Sequence, residues 1–317
     1  MLISARVIGQ TKVTRSETDF KIVGYVPLRP VIADSNQTVL DYSFLDKITH
    51  ANLAFINPDT SGNFLQDLRI SSFIGMAHAK NVKVLASIGG GGPHKYYSGL
   101  LKDDKRNIFI SNLVSLVTKY DLDGIDVDLE DDDIDINYEN FVVALSEALR
   151  QRDKLITAAI ATVYKDRLAD GALQRFDFIN IMSYDHTGPW RPDNPGPHSP
   201  FIMAVDDLEY WNKVRSIPKE KLVLGLPFYG YGFSSTNTSV LTMDYKQIVS
   251  SLPESVSQDS INLPGDVIMY YNGIPTIKRK TALAEENAGG VMIWQLLGDA
   301  SGENSLLEAI HQVVYKK

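Results

Sequence analysis

The stretch DGIDVDLE, residues 123–130, alternates acid with hydrocarbon: Asp126, Asp128 and Glu130 interleave with Ile125, Val127 and Leu129. In a β-strand successive side chains point to opposite faces, so the two sets separate. The apolar face needs a cover of helices. The acidic face would then point into a closed barrel and toward its mouth. Same-face neighbours stand roughly 6.7 Å apart, and two full charges at that spacing repel by about 2–3 kcal/mol at an effective dielectric of ~20. Such a set titrates as a coupled group, with one or more members held protonated. A carboxylic acid that keeps its proton near neutrality can serve as a general acid. A solvated edge strand would not explain the strict apolar partners. A calcium loop fits no better, because Gly124 follows Asp123 too early and the acidic loop DDDIDIN, residues 131–137, has no glycine.

Outward from this segment the chain repeats one theme. Short apolar runs stand at 22–26, 50–56, 82–88, 122–129, 154–161, 176–184, 221–228 and 289–296. Helical patterns lie between them, as at 71–81, 107–120 and 137–152; in the last, Phe141, Leu145 and Leu149 recur at every fourth position. Eight nearly continuous apolar runs alternating with helices predict parallel strands covered by helices, closed as a single (β/α)8 TIM barrel of the α/β class. No Gly-x-Gly-x-x-Gly follows the first run, which weighs against an open doubly wound sheet. Residues 1–20 read as a polar lead-in and 21–317 as the barrel domain. The longest connection, about 229–288, carries helical patterns near 244–251 and 276–288 and is too short for a large inserted domain.

Composition narrows the function. The 317 residues are 44% hydrophobic and 22% charged, enough to fill a core without a metal or disulfide staple. Cysteine is absent, which removes disulfides, thiolate metal sites and a thiol nucleophile together. The formal net charge of −8 argues against nucleic acid and anionic membrane and suits a neutral polysaccharide. No run reaches the ~20 apolar residues of a membrane span. His94 and His186 show no metal-ligand spacing, and the glycine run at 89–92 lacks the Gly-Lys-Ser/Thr of a phosphate loop. No metal and no cofactor is expected.

DGIDVDLE resembles the Asp-Gly-x-Asp-x-Asp-x-Glu signature of glycoside hydrolase family 18, the chitinases and related endo-N-acetylglucosaminidases. Four further segments match that family in order: SIGG (87–90), MSYD (182–185), GLPFYG (225–230) and GGVMIWQL (289–296). The resemblance runs from about residue 22 to 310. It implies a retaining glycosidase for β-1,4-linked N-acetylglucosamine whose nucleophile is the substrate's own acetamide, passing through an oxazolinium ion. It implies Glu130 as acid and base, Asp128 as partner of the acetamide N–H, and Asp126 beneath, sharing a proton with Asp128. Tyr184 would hold the acetamide carbonyl. Ser87 would donate to Asp126, and Gly89 and Gly90 would let backbone approach the sugar. Asp185 would contact the sugar or orient the acetamide, and Trp294 would floor the site. Tyr229 and Trp190, with Tyr96 and Tyr97, are candidate stacking surfaces.

The family pattern is not matched throughout. Leu129 and Asp131 flank Glu130 where many members carry aromatic residues, and Tyr231 stands where many carry arginine. An absent insert implies a shallower groove and endo cutting. An endoglycosidase for N-glycans, a peptidoglycan glycosidase and a silent sugar-binding lectin are the alternatives. Silent members of the family usually lose the terminal Glu, and Glu130 is present here. A monomer is expected. A secreted, periplasmic or surface location is expected, with any export signal outside this chain, since no signal peptide is visible. The sequons at Asn36 and Asn237 are too short a pattern to decide anything.

Overall fold

Seven of the apolar runs form consecutive parallel strands: β1 (Lys21–Pro27), β2 (His50–Ala54), β3 (Lys83–Gly89), β4 (Gly124–Asp128), β5 (Leu155–Ile160), β6 (Phe178–Ile181) and β7 (Leu222–Pro227). Four further strands follow: β8 (Tyr229–Ser234), β9 (Val240–Asp244), β10 (Ser260–Leu263) and β11 (Val267–Tyr270). The eighth apolar run is β12 (Gly290–Trp294), which pairs with both β7 and β1 and closes the barrel. The structure is a computed structural model and describes residues 19–29, 31, 41–66, 68–92, 94–235 and 238–315. Most of the lead-in, and Asn36 and Asn237, lie outside the described residues.

The helices cover the barrel as the periodicity predicts. They include α1 (Ser71–His78), α2 (Asp103–Tyr120), α3 (Tyr138–Arg150), α4 (Phe201–Glu209), α5 (Tyr245–Ser251), α6 (Ile274–Asn287) and α7 (Leu306–Tyr315). α3 buries Phe141, Val142, Leu145 and Leu149 in one stripe. Ile125, Val127 and Leu129 of the acidic strand join the same layer between sheet and helices. A separate cluster fills the barrel interior, with Val23, Tyr25, Ala54, Ala159, Phe178, Val223 and Met292. Among the described residues no helix is long and apolar enough to cross a membrane.

Asp123 and Gly124, the first two residues of the motif, are structural. Asp123 Oδ2 accepts from the Val84 amide at 2.7 Å and lies 2.8 Å from His78 Nε2, so it ties the entry of β4 to β3 and α1. A Cβ on Gly124 would sit 2.2 Å from the Leu155 carbonyl oxygen, which leaves only glycine room at this strand crossing.

The connection between β7 and β12 differs from its expected pair of helices. Both helices are present as α5 and α6, and an antiparallel sheet of order β10-β11-β8-β9 accompanies them. Its strands escape a reading by apolar runs for a physical reason. Tyr229, Tyr231 and Phe233 face the barrel mouth, with glycines between them, while Leu241 and Ile268 are exposed. Only Phe228 separates β7 from β8, and its amide donates to the Trp294 carbonyl at 2.8 Å.

Candidate active site

Strand register builds the centre. Ser87 of β3 and Thr157 of β5 stand directly beside Asp126 of β4. Thr157 donates to Asp126 Oδ1 at 2.5 Å, and Ser87 donates to Oδ2 at 2.7 Å. Tyr25 donates to Oδ2 at 2.6 Å from β1, and Asn180 donates to Oδ1 at 3.2 Å from β6. Asp126 is fully buried; burial raises its pKa and these four donors oppose the rise. They support the ionised form, so Asp126 is the member of the pair best able to carry charge. The resemblance also implies a proton shared between Asp126 and Asp128, but no hydrogen bond joins them here, because Asp126 spends its oxygens on the other four groups.

Asp128 is buried without compensation: its Oδ1 has no hydrogen-bond partner. Desolvation first, then the charges of Glu130 and Asp126, hold its pKa well above the usual carboxylate range. Its protonated form is therefore favoured more than in an ordinary aspartic acid. Glu130 follows at the strand's end, and burial, with Asp131, Asp185 and Asp133 nearby, pushes it up to about 7. The turn behind it is fixed by Arg167, whose guanidinium donates to the Asp131 carbonyl and lies 3.3 Å from Asp132. Asp133 is pushed up to about 6 by burial and then by its acidic neighbours.

The end of β6 brings a second group. Tyr184 is buried, and its hydroxyl makes only a long contact of 3.8 Å to Met292 Sδ. Burial and the surrounding carboxylates raise its pKa well above the ordinary phenol value, so it remains a donor. Asp185 has φ +62°, a left-handed conformation held from several sides. Tyr229 and Tyr231, both from β8, donate to its Oδ1, the second at 3.2 Å. His198 Nδ1 lies 3.4 Å from the same oxygen, while its Nε2 faces the Tyr229 carbonyl at 3.3 Å. Trp294, partly buried at the end of β12, stacks against Phe55 at 5.6 Å and leans on Tyr25 at 5.4 Å. The Ala54–Phe55 and Trp294–Gln295 peptide bonds beside it are cis.

A buried carboxylate on four donors, an orphaned acid above it, a third acid at about 7 and a buried tyrosine thus converge on the strand ends beside an indole. The sequence profile of glycosyl hydrolases family 18 matches residues 21–299. The chain belongs to glycosyl hydrolases family 18. The family 18 chitinase ChiB from the chitin utilization locus of Flavobacterium johnsoniae is 38% identical, superposes with a TM-score of 0.82, and is covered over 93% of each chain. A chitinase from Bacteroides thetaiotaomicron is 29% identical with a TM-score of 0.78, over 94% of this chain and 97% of that one. Probable chitinase 10 of Drosophila melanogaster is 30% identical over 87% of this chain, yet the match covers 14% of its own length. A chitinase-like effector of Moniliophthora roreri is 30% identical over 59% of this chain and 54% of its own. The chain thus spans about half the length of these curated relatives, or less.

Within this family 18 site the remaining sequence candidates divide. Ser87 is fully buried and faces Asp126. The room at Gly89 and Gly90 is taken by protein: a Cβ on Gly89 would lie 2.2 Å from the Asp128 carbonyl oxygen, and one on Gly90 would lie 2.3 Å from the Phe55 ring. Gly91 and Gly92 are the exposed members of that run, and a Cβ on Gly91 would stand 3.7 Å from Glu130 Oε1. Trp190 is 55% exposed and meets Tyr231 edge-on at 5.9 Å. Tyr97 is no stacking surface: it is fully buried and donates to Asn57 Oδ1 at 2.7 Å. Among the described residues no group of three or more His, Asp or Glu is arranged to hold a metal. Tyr25, Thr157, Asn180, Tyr231 and His198 were missed as site residues. The first three had a usable signal, since each carries a polar group into an apolar strand run.

Proposed function

We propose that this chain hydrolyses β-1,4-linked N-acetylglucosamine polymers with retention, using the substrate's acetamide as nucleophile. The observation that carries this reading is Asp128, a buried acid with an unpartnered oxygen between the four-donor Asp126 and Glu130. That oxygen suits an acetamide N–H. Tyr184, whose hydroxyl has no strong protein acceptor, suits the acetamide carbonyl. Together they would hold the acetamide oxygen under the anomeric carbon, which removes the entropy cost of bringing in a separate nucleophile. Glu130 would give its proton to the leaving oxygen and then take one from water. As the oxazolinium charge develops, Asp128 would accept the acetamide N–H on its unpartnered oxygen, with the ionised Asp126 below adding negative charge beneath the cation. Trp294 would floor the ring.

Product analysis by mass spectrometry tests the reading. Chitohexaose should yield shorter chito-oligosaccharides, and a high-mannose N-glycopeptide should stay intact. Release of the glycan with one N-acetylglucosamine left on the peptide would move the substrate to N-glycans. Inertness toward both, with binding retained, would turn the site into a lectin's.

A further inference from the structure

Lys280 sits on α6, outside the carboxylate cluster at the strand ends, and its side chain is wholly buried. Its ammonium donates to the Ser199 carbonyl at 2.7 Å, to Ser199 Oγ at 2.6 Å and to Asn272 Oδ1 at 2.8 Å. Among the described residues no carboxylate pairs with it directly; Asp259 and Asp207 act from farther away. Asp259 is committed elsewhere, accepting from the Gly273 amide and Thr276 Oγ1 at the start of α6. Asp207, on α4, faces the side chains of Thr162 and Ser183, and its Oδ2 has no hydrogen-bond partner. A buried ammonium held by neutral oxygens is an expensive feature, and a hydrocarbon of the same shape would fill the space at lower cost. Burial presses its pKa down to about 7.

What the lysine holds is one serine. Ser199 Oγ donates to the Ser183 carbonyl at 2.6 Å, one residue before Tyr184 and two before Asp185. Ser199 also follows His198, whose ring faces Asp185. Asn272, just past β11, donates to the Ser199 carbonyl at 3.0 Å. Thus the backbone carrying Tyr184 and the imidazole bracing Asp185 both depend on where Ser199 sits.

We propose that Lys280 is a positioning residue for Tyr184 and Asp185, acting through Ser199 and tying the exit of the small sheet to the end of β6. This rests on the proposed reading of Tyr184 as the holder of the acetamide carbonyl and of Asp185 as its neighbour on the sugar. Lys280→Met and Ser199→Ala are compared with the parent on a chromogenic N-acetylglucosamine oligosaccharide. For each variant kcat should fall about tenfold or more, because small misplacement of orienting groups is costly. KM should change less than about threefold, since most of the binding lies elsewhere. The double variant should be no slower than the slower single one. A structure of Lys280→Met should show Asp185 displaced from Tyr229 and Tyr231. A purely structural lysine would lower the melting temperature and leave kcat per folded molecule unchanged. Both variants within about twofold of an active parent in kcat would overturn the proposal. So would an unmoved Tyr184 and Asp185 in the Lys280→Met structure. If Lys280→Met does not fold, Ser199→Ala decides by the same kinetics and the same structural comparison. If the parent itself is inert, the proposed activity falls, and the structures alone decide the role of Lys280.

Discussion

Glu130 is held near neutrality by its surroundings, and this has two consequences of opposite value. If Glu130 is the general acid proposed above, it must enter the reaction protonated, so turnover should fall as pH rises through about 7. Its folded pKa is raised above the ordinary 4.5, so its stabilising share is complete below 4.5 and lost as pH rises through about 7. Glu130→Gln, neutral at every pH, should lose roughly 10²–10⁴-fold in kcat while retaining sugar binding. Its melting temperature should gain on the parent as pH rises across that window. Melting curves at pH 4.5 and 8 with calorimetric binding check both; an equal offset at the two pH values would contradict the burial argument. At this scale the acidic strand was legible because alternation is a two-residue signal that needs no partner. The cradle of Asp126 showed only as polar groups set in apolar runs; that they meet on Asp126 was not legible, because Tyr25 and Asn180 reach it from strands 101 and 54 residues away. Lys280 was hidden for a different reason: within an amphipathic helix a lysine looks like part of the solvated face.

Elements decide which side chains meet. All eight barrel strands were readable as apolar runs, since strands buried on both faces carry continuous hydrocarbon. The strands of the small sheet are glycine-spaced or half exposed and leave no such trace, yet β8 supplies two of the groups that hold Asp185. Tyr229→Phe removes a hydroxyl from a carboxylate and should lower kcat/KM roughly tenfold to a hundredfold, as expected for about 1.5–3 kcal/mol. Tyr231→Phe, which loses a bond of 3.2 Å, should have the smaller effect. Steady-state kinetics on one oligosaccharide ranks them; an inverted order would mean that Asp185 leans on Tyr231 instead. Gly89, with φ +98°, belongs to the same argument. Gly89→Ala should lower stability by about 1–3 kcal/mol in urea unfolding, since left-handed strain and a backbone clash coincide there.

The molecule as a whole carries a formal charge of −8, and Asp131, Asp132, Asp133 and Asp135 gather beside Glu130. A neutral oligosaccharide feels none of this at a distance, so its kcat/KM should change less than about twofold between low salt and ~0.5 M. A partly deacetylated, cationic oligosaccharide should lose ground as salt is added. Kinetics at two ionic strengths separate the cases, and strong salt dependence of the neutral substrate would point to a conformational effect. The near-direct passage from β7 into β8, with Phe228 alone between them, sets a limit on redesign. The small sheet is not a detachable module. Exchanging it for the insert of a relative would disturb the seventh barrel strand and the grip on Asp185 in the same cut. Altering substrate preference here therefore calls for point changes along the rim, at Trp190 or the acidic turn, rather than transplantation of a loop.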